Sequence, residues 1–315
     1  MYALKLSTVT RTQGNNRDLK NGSVLPLGFE FEFEEVPVLI DAFRRMVRGL
    51  EWDVSEMALT TYLCAREHGK AFTALPIFLV RAFHHGAIVV NHNAGISQPK
   101  DLEGKRVGVN RGYTVTTGLW ARSVLQHQYG VDLSKITWVL SGDEHVAEYR
   151  PPTNVVPIAP GRNMAEMVIA GELAGAIGIE VDSPQVGPLI PDAAQAGFDA
   201  LAATGHYPIN HLVVVKDEVL AAYPKVGPAI FAAFAQAKQN YVQRLRDGAI
   251  DRPTAVDEMH QRVMAQTGAD PLPYGVAPNR RMLDLAISSA REQGIIERTP
   301  RLDELFPINT LSLRG

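Results

Sequence analysis

Arg81-Ala82-Phe83-His84-His85-Gly86-Ala87-Ile88-Val89-Val90-Asn91 sets a guanidinium and two imidazoles directly before a glycine and a short β-branched run. A run of this length without polar alternation reads as a strand buried on both faces, so the polar groups arrive at its mouth. That mouth suits an anion. A second stretch, Thr204-Gly205-His206-Tyr207-Pro208-Ile209-Asn210-His211-Leu212-Val213-Val214-Val215, repeats the order of histidine, turn residues, histidine and apolar strand. Two such strands can carry the chain out of one lobe and back. They predict a two-lobed α/β protein with residues 1–88 and 213–315 in one lobe, residues 89–212 in the other, and a cleft between the lobes.

The chain has 315 residues, 46% hydrophobic and 21% charged, which admits two globular domains. A net charge of -3 and a pI near 6.3 give no global field for nucleic acid or an anionic membrane, so an anionic ligand must be held by local positive charge. Cys64 is the single cysteine, which excludes an intrachain disulfide and a cysteine-rich metal centre, and it reads as a small buried apolar residue. The first residues lack a basic region followed by an apolar core and already alternate like a strand from Tyr2 to Val9, so the protein is expected in the cytoplasm. Mean hydropathy is -0.05, and no apolar run is long enough to span a bilayer.

Strands alternating with helical periods along the whole chain predict parallel sheets in both lobes. Glu30-Phe31-Glu32-Phe33-Glu34-Glu35-Val36 alternates strictly and reads as an edge strand with a solvated acidic face. Arg17 lies in a polar loop after the first strand, a position from which α/β folds address ligands. Ser55 and Glu56 fall at or near the start of a helix over 59–67, where free backbone N–H groups favour anions. Asn110-Arg111-Gly112-Tyr113-Thr114-Val115-Thr116-Thr117-Gly118 opens a helix running to about Tyr129. Arg111 and the hydroxyls of Thr114, Thr116 and Thr117 there make a seat for a carboxylate, and without P-loop spacing the seat does not suit nucleotide phosphate. Asp182 follows the carboxyl end of a strand over 175–179 and is expected to face the cleft.

Asp101-Leu102-Glu103-Gly104-Lys105-Arg106-Val107-Gly108-Val109 resembles the second lobe of type II periplasmic-binding-protein folds. Arg48 to Met57, Arg81 to His85, Gly118-Leu119-Trp120-Ala121-Arg122 and Tyr207-Pro208-Ile209-Asn210-His211 together resemble the 4,5-dihydroxyphthalate decarboxylases, which have that fold. The chain departs from that family's pattern at His84, where arginine is expected, at Asn210, where methionine is expected, and around Arg17, where the loop is shortened.

The resemblance implies a cofactor-independent decarboxylase of a hydroxylated, phthalate-like aromatic acid. Such a reaction needs the carboxylates held, a proton delivered to ring carbon and the dearomatised intermediate stabilised until carbon dioxide leaves. Arginine's fork suits the first task and histidine the second. On this reading Arg81 and Arg111 anchor carboxylates, His85 and His211 are the acid–base candidates, and Glu56 orients an imidazole or accepts from a phenol. His84 and His206 complete the substrate-facing set. The histidines lack the spacing of a strong metal motif, so neither metal nor cofactor is expected. The expected partner is a small aromatic carboxylate, with neither nucleic acid nor membrane, and a homo-oligomer is compatible with the sequence. A solute-binding protein without catalysis is the competing reading.

Overall fold

The structure, a computed structural model, describes residues 4–315. Of the strand expected from Tyr2 to Val9, Tyr2 and Ala3 lie outside the described residues. In chain order the strands are β1 (Leu4–Val9), β2 (Phe29–Glu34), β3 (Val54–Ala58), β4 (Phe72–Arg81), β5 (Ile88–Asn91), β6 (Arg106–Val109), β7 (Thr137–Leu140), β8 (Val155–Pro157), β9 (Gly175–Ile177), β10 (Val186–Pro188) and β11 (Ile209–Lys216). The helices are α1 (Arg17–Lys20), α2 (Leu39–Gly49), α3 (Leu59–Glu67), α4 (Thr116–Tyr129), α5 (Met164–Ile169), α6 (Ala193–Thr204), α7 (Asp217–Ala222), α8 (Val226–Arg246), α9 (Ala255–Thr267), α10 (Val276–Glu292) and α11 (Leu302–Leu305). Among the described residues no helix is long and apolar enough to cross a membrane.

The chain forms two compact units. The first takes the chain up to Arg81, Ile209–Asp284 and Pro300–Gly315; the second takes Ala82–Pro208 and Leu285–Thr299. The sequence puts residues 1–88 and 213–315 in the first unit, whereas in the structure residues 82–88 and 285–299 lie with the second and residues 209–212 with the first. Side-chain bonding explains the placement of residues 285–299: Arg122 Nε donates to Gln293 Oε1 (2.8 Å), Gln293 Nε2 donates to Leu119 O (3.1 Å), and Tyr149 Oη donates to Gly294 O (3.0 Å).

The first unit is built on a five-stranded sheet of order β2-β1-β3-β11-β4. β1, β2 and β3 are parallel, whereas β11 runs antiparallel to both β3 and β4. The sheet is therefore mixed, not parallel throughout, because the strand that brings the chain back enters from the opposite end. β2 is an edge strand, as its alternation requires: Phe29 is buried, Glu30, Glu32 and Glu34 are exposed, and Phe31 meets Phe234 of α8 edge-on at 5.7 Å. Pro76 stands inside β4 without cost to the ladder because β4 is the other edge. The valines of β11 fill the centre, with Val213, Val214 and Val215 fully buried.

The second unit has a six-stranded sheet of order β10-β5-β9-β6-β7-β8. β6 to β9 are parallel; β5 is antiparallel to β9, and β10 to β5, so this sheet is mixed as well. Its core gathers Val139, Met164, Met167, Val168, Leu173 and Ala176 between sheet and α5.

Candidate active site

Within the first unit β1, β3 and β4 point the same way, so their carboxyl ends share one sheet edge, where open α/β sheets collect ligand-binding groups. β11 begins at that edge. His211 pairs with Ala58 on one side and Val80 on the other, and Glu56 pairs with Val213. The two-residue period of a strand then puts the Glu56 and His211 side chains on one face of the sheet.

Glu56 has no solvent exposure, while the His211 side chain is 17% exposed. His211 Nδ1 lies 2.7 Å from Glu56 Oε1. The Arg11 backbone N–H donates to Glu56 Oε2 at 2.9 Å, and Gln13 Nε2 donates to the same carboxylate at 3.4 and 3.5 Å. A buried carboxylate is tolerated only when paired and hydrogen-bonded, and these donors meet that condition. A carboxylate accepts but does not donate, so Nδ1 carries the hydrogen of this bond and Nε2 is left as the working nitrogen. Phe43 fixes the ring plane, meeting it edge-on at 5.1 Å and 87°.

The neighbouring candidates are placed differently from expectation. Ser55 and Glu56 are not at a helix start; both lie in β3, and α3 begins at Leu59. Ser55 spends its hydroxyl on Glu56 O at 2.7 Å. Arg81 is buried at the end of β4, where Nη2 donates to Pro273 O (3.3 Å) and to Asn279 Oδ1. Arg17 is exposed as the first residue of α1, a short helix inside the stretch expected as loop. Arg11, which the sequence did not single out, is also exposed there.

In the second unit, of the residues expected to seat a carboxylate, Thr114 holds one supplied by the chain itself. Tyr113 N and Thr114 N donate to the two oxygens of Glu144, and Thr114 Oγ1 donates to Oε2 at 2.6 Å. A side chain at Gly112 would collide with that carboxylate, its Cβ falling 2.5 Å from Oε2. Glu144 comes from the polar loop after β7. Arg111 is exposed and held at φ 68°, a conformation rare for a side-chain-bearing residue, by its N–H to Ser141 Oγ (2.7 Å). Thr116 is buried and Thr117 half-buried, and α4 begins only at Thr116, so Thr114 precedes it.

His85 opens a 3-10 turn and is buried; its Nε2 bonds Gln128 Oε1 at 2.8 Å, and its Nδ1 has no hydrogen-bond partner among the described residues. Burial, with a smaller push from His85, lowers the neighbouring His84 imidazole to about 3, so it stays neutral at physiological pH. His206 is half-buried, and its N–H donates to Thr204 Oγ1 at 3.1 Å; Asp182 is exposed between β9 and β10. Among the described residues no group of three or more His, Cys, Asp or Glu is arranged to hold a metal ion.

The family model described as "NMT1/THI5 like" matches residues 57–171. A 4,5-dihydroxyphthalate decarboxylase of Comamonas testosteroni is 29% identical over 333 aligned positions, covering 97% of this chain and 97% of that protein. A 4,5-dihydroxyphthalate decarboxylase of Pseudomonas putida is 31% identical over 173 positions, covering 50% of this chain and 67% of that protein. Among solved structures, the periplasmic aliphatic sulphonate binding protein SsuA of Escherichia coli has TM-score 0.54 at 12% identity, covering 96% of this chain and 91% of that one. The desulfurization enzyme DSZB has TM-score 0.53 at 12% identity, covering 98% and 97%. At such identities these two likenesses speak for the fold, which is that of the periplasmic binding proteins, and the fold serves a binding protein and an enzyme alike. On the strength of its curated relatives, the chain belongs to the 4,5-dihydroxyphthalate decarboxylases, a family of carboxy-lyases.

Proposed function

We propose that this protein decarboxylates a hydroxylated, phthalate-like aromatic acid by protonating the ring carbon that bears the leaving carboxylate, without a cofactor. The observation that carries this reading is the Glu56–His211 pair: a fully buried carboxylate holding one nitrogen of a partly exposed imidazole at the carboxyl edge of the first unit's sheet. A binding protein needs only donors for the anion, whereas decarboxylation also needs a proton delivered to ring carbon, which an oriented imidazole can do.

In 4,5-dihydroxyphthalate each carboxylate is para to a hydroxyl, whose oxygen can supply the electron pair for a new ring C–H bond. His211, protonated on both ring nitrogens with its Nδ1–H held on Glu56, delivers the Nε2 proton and is left neutral, to be reprotonated from solvent; the hydroxyl oxygen becomes the carbonyl of a dearomatised intermediate as its own proton passes to water. Carbon dioxide then leaves, the electrons of the broken C–C bond restore the ring, and the oxygen regains a proton. The net change is one proton gained by the ring for each carbon dioxide lost. Glu56 acts through His211 as a positioning carboxylate. Arg11, exposed just after β1 and bonded through its backbone N–H to Glu56, supplies local positive charge for the carboxylates, and Arg17, exposed at the start of α1, is the second candidate.

The test is carbon dioxide release from 4,5-dihydroxyphthalate and related hydroxylated benzoates, with binding of each acid measured alongside. Release from at least one acid supports the proposal. Tight binding of an acid with no release from any of them would return the chain to the solute-binding reading.

A further inference from the structure

The loop that supplies Glu56 with its donors is braced from behind. Asn16 Oδ1 accepts from Gln13 N (2.8 Å) and Asn16 Nδ2 donates to Arg11 O (2.9 Å), so the Arg11 and Gln13 donors move as one body. Gly14, between Gln13 and Asn16, lies against Tyr241 of α8. A Cβ at Gly14 would fall 2.2 Å from Tyr241 Cε2 and 2.6 Å from Cδ2. Gly14 is not among the residues at positive φ, so the need for glycine here is one of space, not of backbone conformation.

The ring has little freedom to give way. Tyr241 is 2% exposed; its hydroxyl donates to Asp257 Oδ1 (2.5 Å) and accepts from His260 Nδ1 (2.9 Å). Asp257 is itself fixed by Thr254, whose N–H and hydroxyl both donate to Oδ2 at 2.8 Å. Beyond the loop, Asp18 of α1 takes a two-pronged ion pair from Arg244 of α8 at 3.0 and 3.1 Å and a bond from Asn240 at 2.9 Å. The loop is thus fastened to α8 on its far side and pressed on Tyr241 at Gly14.

We infer that Tyr241 is a positioning residue for the Glu56–His211 pair: its ring is the backstop against which Gly14 seats the Arg11–Asn16 loop, and that loop delivers the donors that hold the Glu56 carboxylate on His211. The inference rests on the decarboxylase reading for its effect on rate, but not for its geometry.

Gly14→Ala puts one methyl group where the ring stands. The expected result is a fall in kcat for carbon dioxide release on the order of tenfold to a hundredfold with KM little changed, since small misplacements of a catalytic group cost rates of this size. The His211 imidazole 15N resonances, assigned by their loss in His211→Gln, should shift in the same variant. Tyr241→Leu makes room for the methyl group, so Gly14→Ala/Tyr241→Leu should bring the resonances and rate back toward those of Tyr241→Leu alone, a rescue that general destabilisation does not produce. If Gly14→Ala fails to fold, Tyr241→Phe, which keeps the ring but frees it from Asp257 and His260, should move the His211 resonances in its place. Unchanged His211 resonances in a folded Gly14→Ala, or in Tyr241→Phe where that variant stands in, overturn the inference, as does a double variant showing no rescue. A parent protein that releases no carbon dioxide overturns the decarboxylase reading instead, and the resonances still decide the positioning claim.

Discussion

His211 meets Glu56 across two neighbouring strands that run in opposite directions, Nδ1 2.7 Å from Oε1, and the carboxylate in that contact has no exposure to solvent. The imidazole is therefore fixed in plane and tautomer before any ligand arrives, with its free edge on the partly exposed side. Such pre-orientation separates a proton-handling histidine from one that only fills space.

Replacing the carboxylate tests this directly. Glu56→Gln keeps the shape but puts an amide where only acceptors suit both His211 and the Arg11 N–H. Turnover should fall by about 10²–10⁴-fold, the range for general acid–base catalysis, with the fold retained by circular dichroism. Glu56→Leu should in addition lower stability by about 1–3 kcal/mol in urea unfolding, because it leaves the Arg11 N–H, Gln13 Nε2 and His211 Nδ1 donors without their acceptor.

Two other histidines set the response to acid. Burial lowers His84 to about 3 and His260 to about 4, the latter despite the opposing pull of Asp257. Both fall below the ordinary value of 6.5, so the unfolded chain takes up these protons first as pH drops. Their contribution to stability is complete above pH 6.5 and is lost as pH falls toward the folded values, at about 1.4 kcal/mol per pH unit for each group. Urea unfolding at pH 7.5 and 5.5 should show this fall, and His260→Asn should reduce its slope. A stability that rises on acidification over that interval contradicts it.

Glu144→Ala leaves the Tyr113 and Thr114 donors without their acceptor. The expected loss is about 1–3 kcal/mol, the cost of stranding such groups, seen as a lower urea midpoint at unchanged m-value. A neutral effect would mean that another acceptor replaces Glu144 readily.

Arg81 has a structural duty separate from any ligand, through Pro273 and Asn279. Arg81→Ala should cost about 1–3 kcal/mol of stability in the absence of substrate. Weaker substrate binding in that variant assigns Arg81 a ligand role only if the variant is fully folded, by circular dichroism, under the binding conditions.

How much of this could be read from the chain depended on the reach of each interaction. Local periodicity sufficed for β2, with phenylalanine and glutamate alternating, for the valine run of β11 and for α3 from Leu59 to Glu67. The Glu56–His211 contact spans 155 residues and depends on the register of β11 on β3. A slip by one residue would send His211 to the other face, and no local pattern records that register. Of the seat expected at Arg111, Thr114, Thr116 and Thr117, only Thr114 is bonded to Glu144, and neither the Tyr113 N–H nor that occupant was legible, because Glu144 comes from a polar loop without periodicity. Arg11 and Gln13 carry no sequence signal for a similar reason: one contributes a backbone N–H, which every residue but proline has. The mixed sheets followed from chain reversals that an alternation of strands and helices does not encode.

The most direct measurement compares His211→Gln with the parent under single-turnover conditions on 4,5-dihydroxyphthalate, or on whichever hydroxylated benzoate the parent decarboxylates, with Kd taken separately. Proton delivery from His211 predicts a rate of carbon dioxide release lower by about 10²–10⁴-fold with Kd little changed. Release at the parent rate from a folded His211→Gln would contradict it, and the proton donor would then have to be another group, with His85 the next to test.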